Sequence, residues 1–182
     1  MAIVGFGNPS LGVQTGNSGP KESMQEMFIE LSNTPGSSTD SRHAGWIDVH
    51  ACSFGAHQST SAQTGGGSSV GKALFEDFSF VKFVDKATPN LLKHCASGKH
   101  LDKLVLSVCK SGGEQQEYMK VTLKEVFITS VNMISNTESP RMMEKVTCSY
   151  GEVSVECKDQ KADGSLGAAV TGGWNVKQNK AA

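Results

Sequence analysis

Residues 84–100 read V-D-K-A-T-P-N-L-L-K-H-C-A-S-G-K-H. Thr88 is suited to cap a helix N-terminus, where a hydroxyl accepts a bond from an N–H of the first turn. Pro89 then falls at the first helical position, where its missing N–H costs nothing and its φ is already helical. Leu91, Leu92 and Cys95 recur at helical spacing and give one apolar stripe. Gly98 follows near the position where a left-handed residue closes a helix, with Lys99 and His100 at the negative end of the dipole. The stretch predicts a helix of two to three turns with both ends marked. Around it the chain alternates as strand, so this helix must bury its stripe against a sheet or the mouth of a barrel.

The chain has 182 residues, 37% hydrophobic and 19% charged. That length and balance suit one domain with a real core and exclude a disordered chain. Seventeen basic and 18 acidic residues leave a net charge of −1, so no field of one sign is available for nucleic acid or an anionic membrane. Five cysteines (Cys52, Cys95, Cys109, Cys148 and Cys157) show no C-x-x-C and no zinc spacing. They read as reduced thiols of a protein folded in the cytoplasm. No run approaches the roughly 18 apolar residues of a membrane span. The N-terminus lacks a charged signal-peptide region, its first basic residue being Lys21. Export would then use a route that cleaves no signal.

Residues 1–23, rich in Gly, Ser, Asn and Gln, read as a flexible N-terminal extension. Met24–Leu31 alternates as a first strand, with Met27, Ile29 and Leu31 on one face. After a polar loop, Trp46–His57 reads as a second strand. Residues 58–71, Q-S-T-S-A-Q-T-G-G-G-S-S-V-G, form a low-complexity loop, and loops this long need a functional explanation. Lys72–Val84 predicts a third strand with apolar residues on both faces. Leu101–Lys110 predicts the strand after the helix, with Lys103 and Ser107 facing out. Gln115–Ile134 predicts a long strand or a bent strand pair. Lys145–Tyr150 and Glu152–Lys158 read as one strand interrupted at Gly151, Asp159–Thr171 as a Gly-rich connector, and Gly173–Gln178 as a short last strand around Trp174. Seven or more strands with one helix predict a mainly β fold, an antiparallel barrel or sandwich.

Three chemical readings stand beside the bland one. Gly66–Lys72 fits G-x-x-x-x-G-K, the phosphate-cradling loop. Such a loop needs a buried strand before it and a helix after it. Here Ala73 replaces the magnesium-holding hydroxyl and a strand pattern follows, so a loop is the better reading. His50 with Cys52, or His94 with Cys95, could form a Cys–His nucleophile, but nothing supplies the third, orienting group. The carboxylates at Glu76, Asp77, Glu114, Glu117, Glu125, Glu152 and Glu156 sit beside lysines as solvated strand faces do. No catalytic, cofactor-binding or metal-ligating set is assigned.

The motif of residues 85–100, D-K-A-T-P-N-L-L-K-H-C-A-S-G-K-H, resembles the signature of the Hcp family (haemolysin-coregulated proteins), the tube subunit of bacterial type VI secretion systems. The signature positions are Asp85, Lys86, Thr88, Pro89, Leu91, Cys95, Gly98, Lys99 and His100. The resemblance continues through His43, Ile47-Asp48-Val49, Ser53, Gly55 and Gln58. It includes Gly65-Gly66-Gly67 to Gly71-Lys72, and Lys110, Gly112-Gly113-Glu114, Glu117-Tyr118 and Thr122–Val126. It ends at Gln160–Gly164, Gly173-Trp174-Asn175 and Gln178-Asn179. It covers residues 24–182, taken as one domain, and leaves 1–23 as an addition. Cys52 and Phe54 stand where many members carry tryptophans.

The resemblance implies a two-sheet antiparallel β-barrel with one short helix on its side and an extended hairpin loop. It implies a non-enzymatic subunit without cofactor. Six copies would form a ring, and rings would stack into a tube. A contractile sheath would drive that tube, tipped by a spike protein, out of the cell with effectors in its channel. Assembly would occur in the bacterial cytoplasm and the subunit would end outside the cell or in a target cell, in interbacterial competition or virulence. The proposed stacking loop is Thr64, Gly65, Gly66, Gly67, Ser68, Ser69, Val70 and Gly71. The alternatives from other classes are a small enzyme, either a nucleotide binder or a Cys/His hydrolase, and a secreted glycan-binding β-sandwich.

Overall fold

The computed structural model describes residues 25–58, 60–61, 69–70, 72–111, 115–135, 141–161 and 163–182. The elements in chain order are β1 (Gln25–Leu31), β2 (Ile47–Val49), β3 (Ala51–Ser53), β4 (Ala56–His57) and β5 (Thr60–Ser61). Then come β6 (Ser69–Val70), β7 (Leu74–Phe75), β8 (Phe78–Phe83), α1 (Thr88–Ser97), β9 (His100–Lys110) and β10 (Gln116–Ile134). The chain ends with β11 (Met143–Ser149), β12 (Glu152–Gln160), β13 (Leu166–Asn175) and β14 (Lys180–Ala181).

All strand pairs are antiparallel, and their pairings trace a closed circuit. β1 lies between β2 and β9, β9 joins β10, β10 joins β11, and β11 joins β8, which meets β3. β2 and β3 are consecutive, separated only by His50, whose N–H donates to Val81 O at 2.8 Å. The bent segment 47–53 therefore closes the barrel by pairing first with β1 and then with β8. Closure removes the open edges that a flat sheet would expose.

This bend corrects the single second strand expected over 46–57. The chain must change partners at His50 to close the barrel, and it leaves the barrel altogether at β4, which pairs with β7. The third strand likewise divides, into β7 outside the barrel and β8 within it. Leu74, expected beside Phe78 and Phe80, is exposed because it belongs to the outer piece.

β10 is one strand of 19 residues. Its first half pairs with β12 and its second half with β11, so β11 and β12 lie in line along one edge of it. The interruption expected at Gly151 falls at this changeover. There Glu125 takes a left-handed φ of 54° and Gly151 N–H donates to Lys124 O. Beyond β12, β13 and β14 extend a wing of sheet past the barrel. Most of the expected connector 159–171 is in fact strand: Asp159 and Gln160 end β12, and Leu166–Thr171 begin β13. Between them Lys161 N–H donates to Ser165 O at 2.8 Å, and Gly164 sits at φ 84°.

The barrel interior holds Ile29, Ile47, Phe78, Phe80, Leu104, Leu106, Val121, Leu123, Val146 and Cys148. Helix α1 lies against β10 and adds Ala87 and Leu91 to this core. Its stripe differs from the expected one. His94 is buried in line with Leu91, while Leu92 is 52% exposed and Cys95 half-buried. The helix closes as predicted: Gly98 sits at φ 60°, ψ 30°, and its N–H donates to Cys95 O.

Candidate functional site

The N-terminal end of α1 is held by a buried polar cluster. Lys82 is on β8, in phase with Phe78 and Phe80, and therefore points into the core at 0% exposure. Glu144 on β11 is in phase with Val146 and Cys148 and is also 0% exposed. Their charges meet at 2.7 Å, and Lys82 Nζ bonds Asp85 Oδ1 at 2.6 Å and Phe83 O at 3.0 Å. An ammonium with this many acceptors, each carboxylate within reach, is how a charge survives without water.

Thr88 completes the cluster, and its role is a correction. It is the first helical residue rather than the cap, and Ala87 occupies the cap position without a side-chain bond. The Thr88 hydroxyl donates to Glu144 Oε1 at 2.8 Å and accepts from Asp85 N–H at 3.1 Å. Asp85 does the capping instead, its Oδ1 accepting Ala87 N–H at 2.8 Å. The signature residues Asp85, Thr88 and Leu91 thus fasten the helix to the barrel. Lys86 N–H reaches Ser37 Oγ, Lys99 N–H donates to His94 O, and the His100 ring packs on Phe127 with centroids 5.1 Å apart. Pro89 follows Thr88 in the first turn and Gly98 forms the left-handed stop.

A second polar cluster lies outside the barrel, under the loop 32–46. Asp40 Oδ1 accepts from His43 Nδ1 at 2.7 Å, and His43 Nε2 contacts Ser107 Oγ at 3.1 Å. The arrangement has the outline of an acid–His–Ser relay. It cannot act as one: Ser107 is 0% exposed, and its hydroxyl donates to Glu117 Oε2 at 2.6 Å. The His43 ring stacks on Phe28 at 4.2 Å and meets Trp46 edge-on. Partial desolvation pushes the Asp40 carboxyl up, but bonds from His43 and from the Arg42 and His43 N–H groups outweigh it and leave it below its ordinary value. Glu117 behaves alike: desolvation raises it, and Ser107, Lys120 and Lys158 bring it below the ordinary value. The cluster is a clamp holding the loop to β9 and β10. Ser107, expected to face out, faces this clamp.

Three of the five thiols, Cys52, Cys109 and Cys148, are poor nucleophiles. Burial pushes Cys52 and Cys109 up, and burial followed by the charge of Asp77 pushes Cys148 to about 12. His50 does not bond Cys52; its ring packs edge-on against Phe83 at 4.3 Å. Buried His94 bonds Thr34 Oγ1 rather than Cys95. Lys72 leads into β7, not into a helix, so the phosphate-loop context is absent.

What projects from the barrel is a hairpin. β4 pairs with β7 and β5 with β6, and among the described residues these four pair only with each other. Ser69 and Val70 of the proposed stacking loop form β6 near the hairpin tip. Thr64, Gly65, Gly66, Gly67, Ser68 and Gly71 lie outside the described residues. At the hairpin root is a cleft of about 330 Å³, lined by Phe54, Phe75, Tyr150, Val153, Gly172 and Trp174, among others. Tyr150 Oη donates to Glu76 O at 3.0 Å, tying the root to β11.

The sequence reading missed Lys82, Glu144, Asp40 and Ser107. A signal existed for two of them: one Lys and one Glu, each in phase with the buried face of its strand. Nothing in sequence joins Asp40 to Ser107, because their meeting depends on the closed barrel.

The fold and its surfaces define a β-barrel protein whose polar clusters are structural and whose projecting hairpin lacks a partner among the described residues. The family described as "Type VI secretion system effector, Hcp" matches residues 28–157. Protein hcp1 of Pseudomonas aeruginosa is 45% identical over 156 residues, covering 85% of this chain and 96% of that protein. A solved type six secretion system protein superposes with a TM-score of 0.83 at 26% identity, covering 87% of this chain and all of the other. Hcp1 from Salmonella typhimurium gives 0.74 at 28% identity, covering 87% and 99%. The chain belongs to the Hcp family of type VI secretion proteins. Among the described residues, no helix is long and apolar enough to cross a membrane.

Proposed function

We propose that this chain is the building block of a secretion tube, a structural subunit without catalysis of its own. Six copies form a ring, rings stack through the hairpin, and effectors travel in the channel. The sheath and the spike protein are its partners in the cell. The subunit assembles in the cytoplasm and is then exported or delivered into a target cell. Residues 24–182 act as the single folded unit.

The observation that carries this reading is the hairpin. Four short strands leave the barrel and, among the described residues, pair only with each other, and two-stranded sheets of this size are marginal alone in water. A second surface would cover them. Heterologous contacts that close make rings, and end-to-end contacts make tubes. Family membership supports the same reading.

Native mass spectrometry and electron microscopy of the purified protein test it. Rings at micromolar concentration are expected. A monomer throughout, with no rings on the grid, would defeat the proposal. Nucleotide-dependent thermal stabilisation, lost in Lys72→Ala, would favour the enzyme instead.

A further inference from the structure

Helix α1 buries Thr88, Leu91 and His94, so the stripe that holds it down ends in a group able to take up a proton. His94 is 5% exposed. Its Nε2 lies 3.1 Å from Thr34 Oγ1, and its Nδ1 is buried without a partner among the described residues. Thr34 is buried as well. Its Oγ1 lies 3.2 Å from Ser32 O, and its N–H donates to Leu31 O. The His94–Thr34 contact thus joins the second half of the helix to the start of loop 32–46. The N-terminal end of the helix has its own ties to that loop, through Ser37 to Asp85 and Lys86.

Both nitrogens of a protonated imidazole carry hydrogen. Whichever nitrogen of neutral His94 holds its hydrogen, protonation fills the other, and the ring then has two donors against one partner. A buried charge with an unmet N–H is costly. Burial first, and then the positive charges of Lys99 and Lys93, hold the ring below the ordinary histidine value. The carboxylates of the surrounding elements are engaged with other partners. Glu30 of β1 pairs with Lys103 of β9 at 3.2 Å, Asp85 with Lys82 at 2.6 Å, and Asp102 of β9 faces His100 at 3.9 Å. On β10, Lys124 pairs with Glu152 and Glu125 with Lys177. In loop 32–46, Asp40 is bonded to His43, and Arg42 reaches Gln115 O.

We infer that His94 is a proton latch: the second half of α1 stays docked on loop 32–46 while the ring is neutral and is released when the ring is protonated. The sign follows from linkage. In the opened chain the ring takes up a proton near the ordinary value of about 6.5, and in the docked chain only at lower pH. Docking is therefore indifferent to pH above about 6.5 and weakens as pH falls from there toward the docked value. Carboxylates, with ordinary values near about 4, are still ionised in that window. The latch therefore opens before the Asp40–Glu117 clamp responds. This inference does not depend on ring formation.

Amide exchange of the full chain, taken as protection relative to the intrinsic rate at each pH, reads the opening. Protection of residues 91–97 and of Thr34 is expected to hold steady from about pH 8 to 7 and then to fall by up to about tenfold per pH unit below about 6.5. The fall should be insensitive to low concentrations of urea, which marks local opening rather than global unfolding. His94→Leu fills the site without titrating and should abolish the fall. Should that variant not fold, His94→Gln keeps an amide toward Thr34 and serves the same purpose. In the full chain, the His94 ring resonances should titrate below about 6.5. Protection of α1 that stays flat from about pH 8 to 5 would overturn the inference. So would an equal fall in the His94 variants, a fall that tracks urea as the barrel strands do, or a ring that titrates at the ordinary value.

Discussion

The helix junction and the hairpin are built on opposite principles. At the junction every element is used twice. Lys82 joins β8 to Glu144 on β11 and to Asp85 before the helix, and Thr88 ties that cluster to α1. The described residues of the hairpin, with exposed Leu74, are held by strand pairing and, at the root, by the Tyr150–Glu76 bond. One region is determined from within the chain. The other is the part that the proposed function assigns to contact with neighbouring copies. The motif that best identifies the family is therefore scaffold, and the proposed function places the working surface in the hairpin.

The contrast breaks most severely at Lys82. Lys82→Met alone strands Glu144 in the core and should cost about 3–5 kcal/mol, the range for splitting a buried ion pair. Lys82→Met with Glu144→Met should recover most of that loss, because two apolar side chains leave no unpaired charge. Urea unfolding of the single and double variants checks this. Equal loss in both would mean that the pair supplies net stability rather than mutual neutralisation.

Gly36 comes next. A Cβ there would lie 2.2 Å from Trp46 O and 2.6 Å from Ile47 Cα, both backbone positions of the loop that leads into β2. Gly36→Ala should destabilise by about 1–3 kcal/mol, as forced overpacking does. Gly172→Ala, with open space around it, should stay within about 0.5 kcal/mol, as unstrained surface changes do. Thermal unfolding of the two variants side by side gives the comparison directly.

The clamp under loop 32–46 should respond to acid. Asp40 and Glu117 both sit below their ordinary values in the fold. A lowered carboxyl contributes stability that is complete above its unfolded pKa of about 4 and is lost as pH falls through the folded value. The protection of amides 38–46, taken relative to their intrinsic exchange rate at each pH, should therefore fall on acidification below that point, ahead of the barrel strands. Ser107→Ala should weaken the acid response by removing a bond that lowers Glu117.

Much of this architecture was legible. The stop at Gly98 needs only local chemistry, and alternation on β1 and β9 placed Ile29, Leu104 and Leu106 correctly. The interruption at Gly151 was legible because glycine marks the one place where β10 changes partner. Thr88 was misplaced by one position because its hydroxyl is drawn to Glu144, a residue 56 positions away. Tertiary partners outbid the local cap. The break at His50 was hidden for a similar reason: the alternating pattern continues through it, and barrel closure alone demands the bend. The loop 58–71 was flagged by composition, and its ends prove to be paired strand; the cleft at its root gave no sequence signal, since Phe54, Val153 and Trp174 meet only in the fold.

The most direct test of the division between scaffold and working surface is deletion of Thr64–Ser69, followed by electron microscopy and a secretion assay. A folded chain with unchanged thermal stability is expected, one that still forms rings but neither stacks nor is secreted. Stacked tubes and normal secretion from that variant would contradict it.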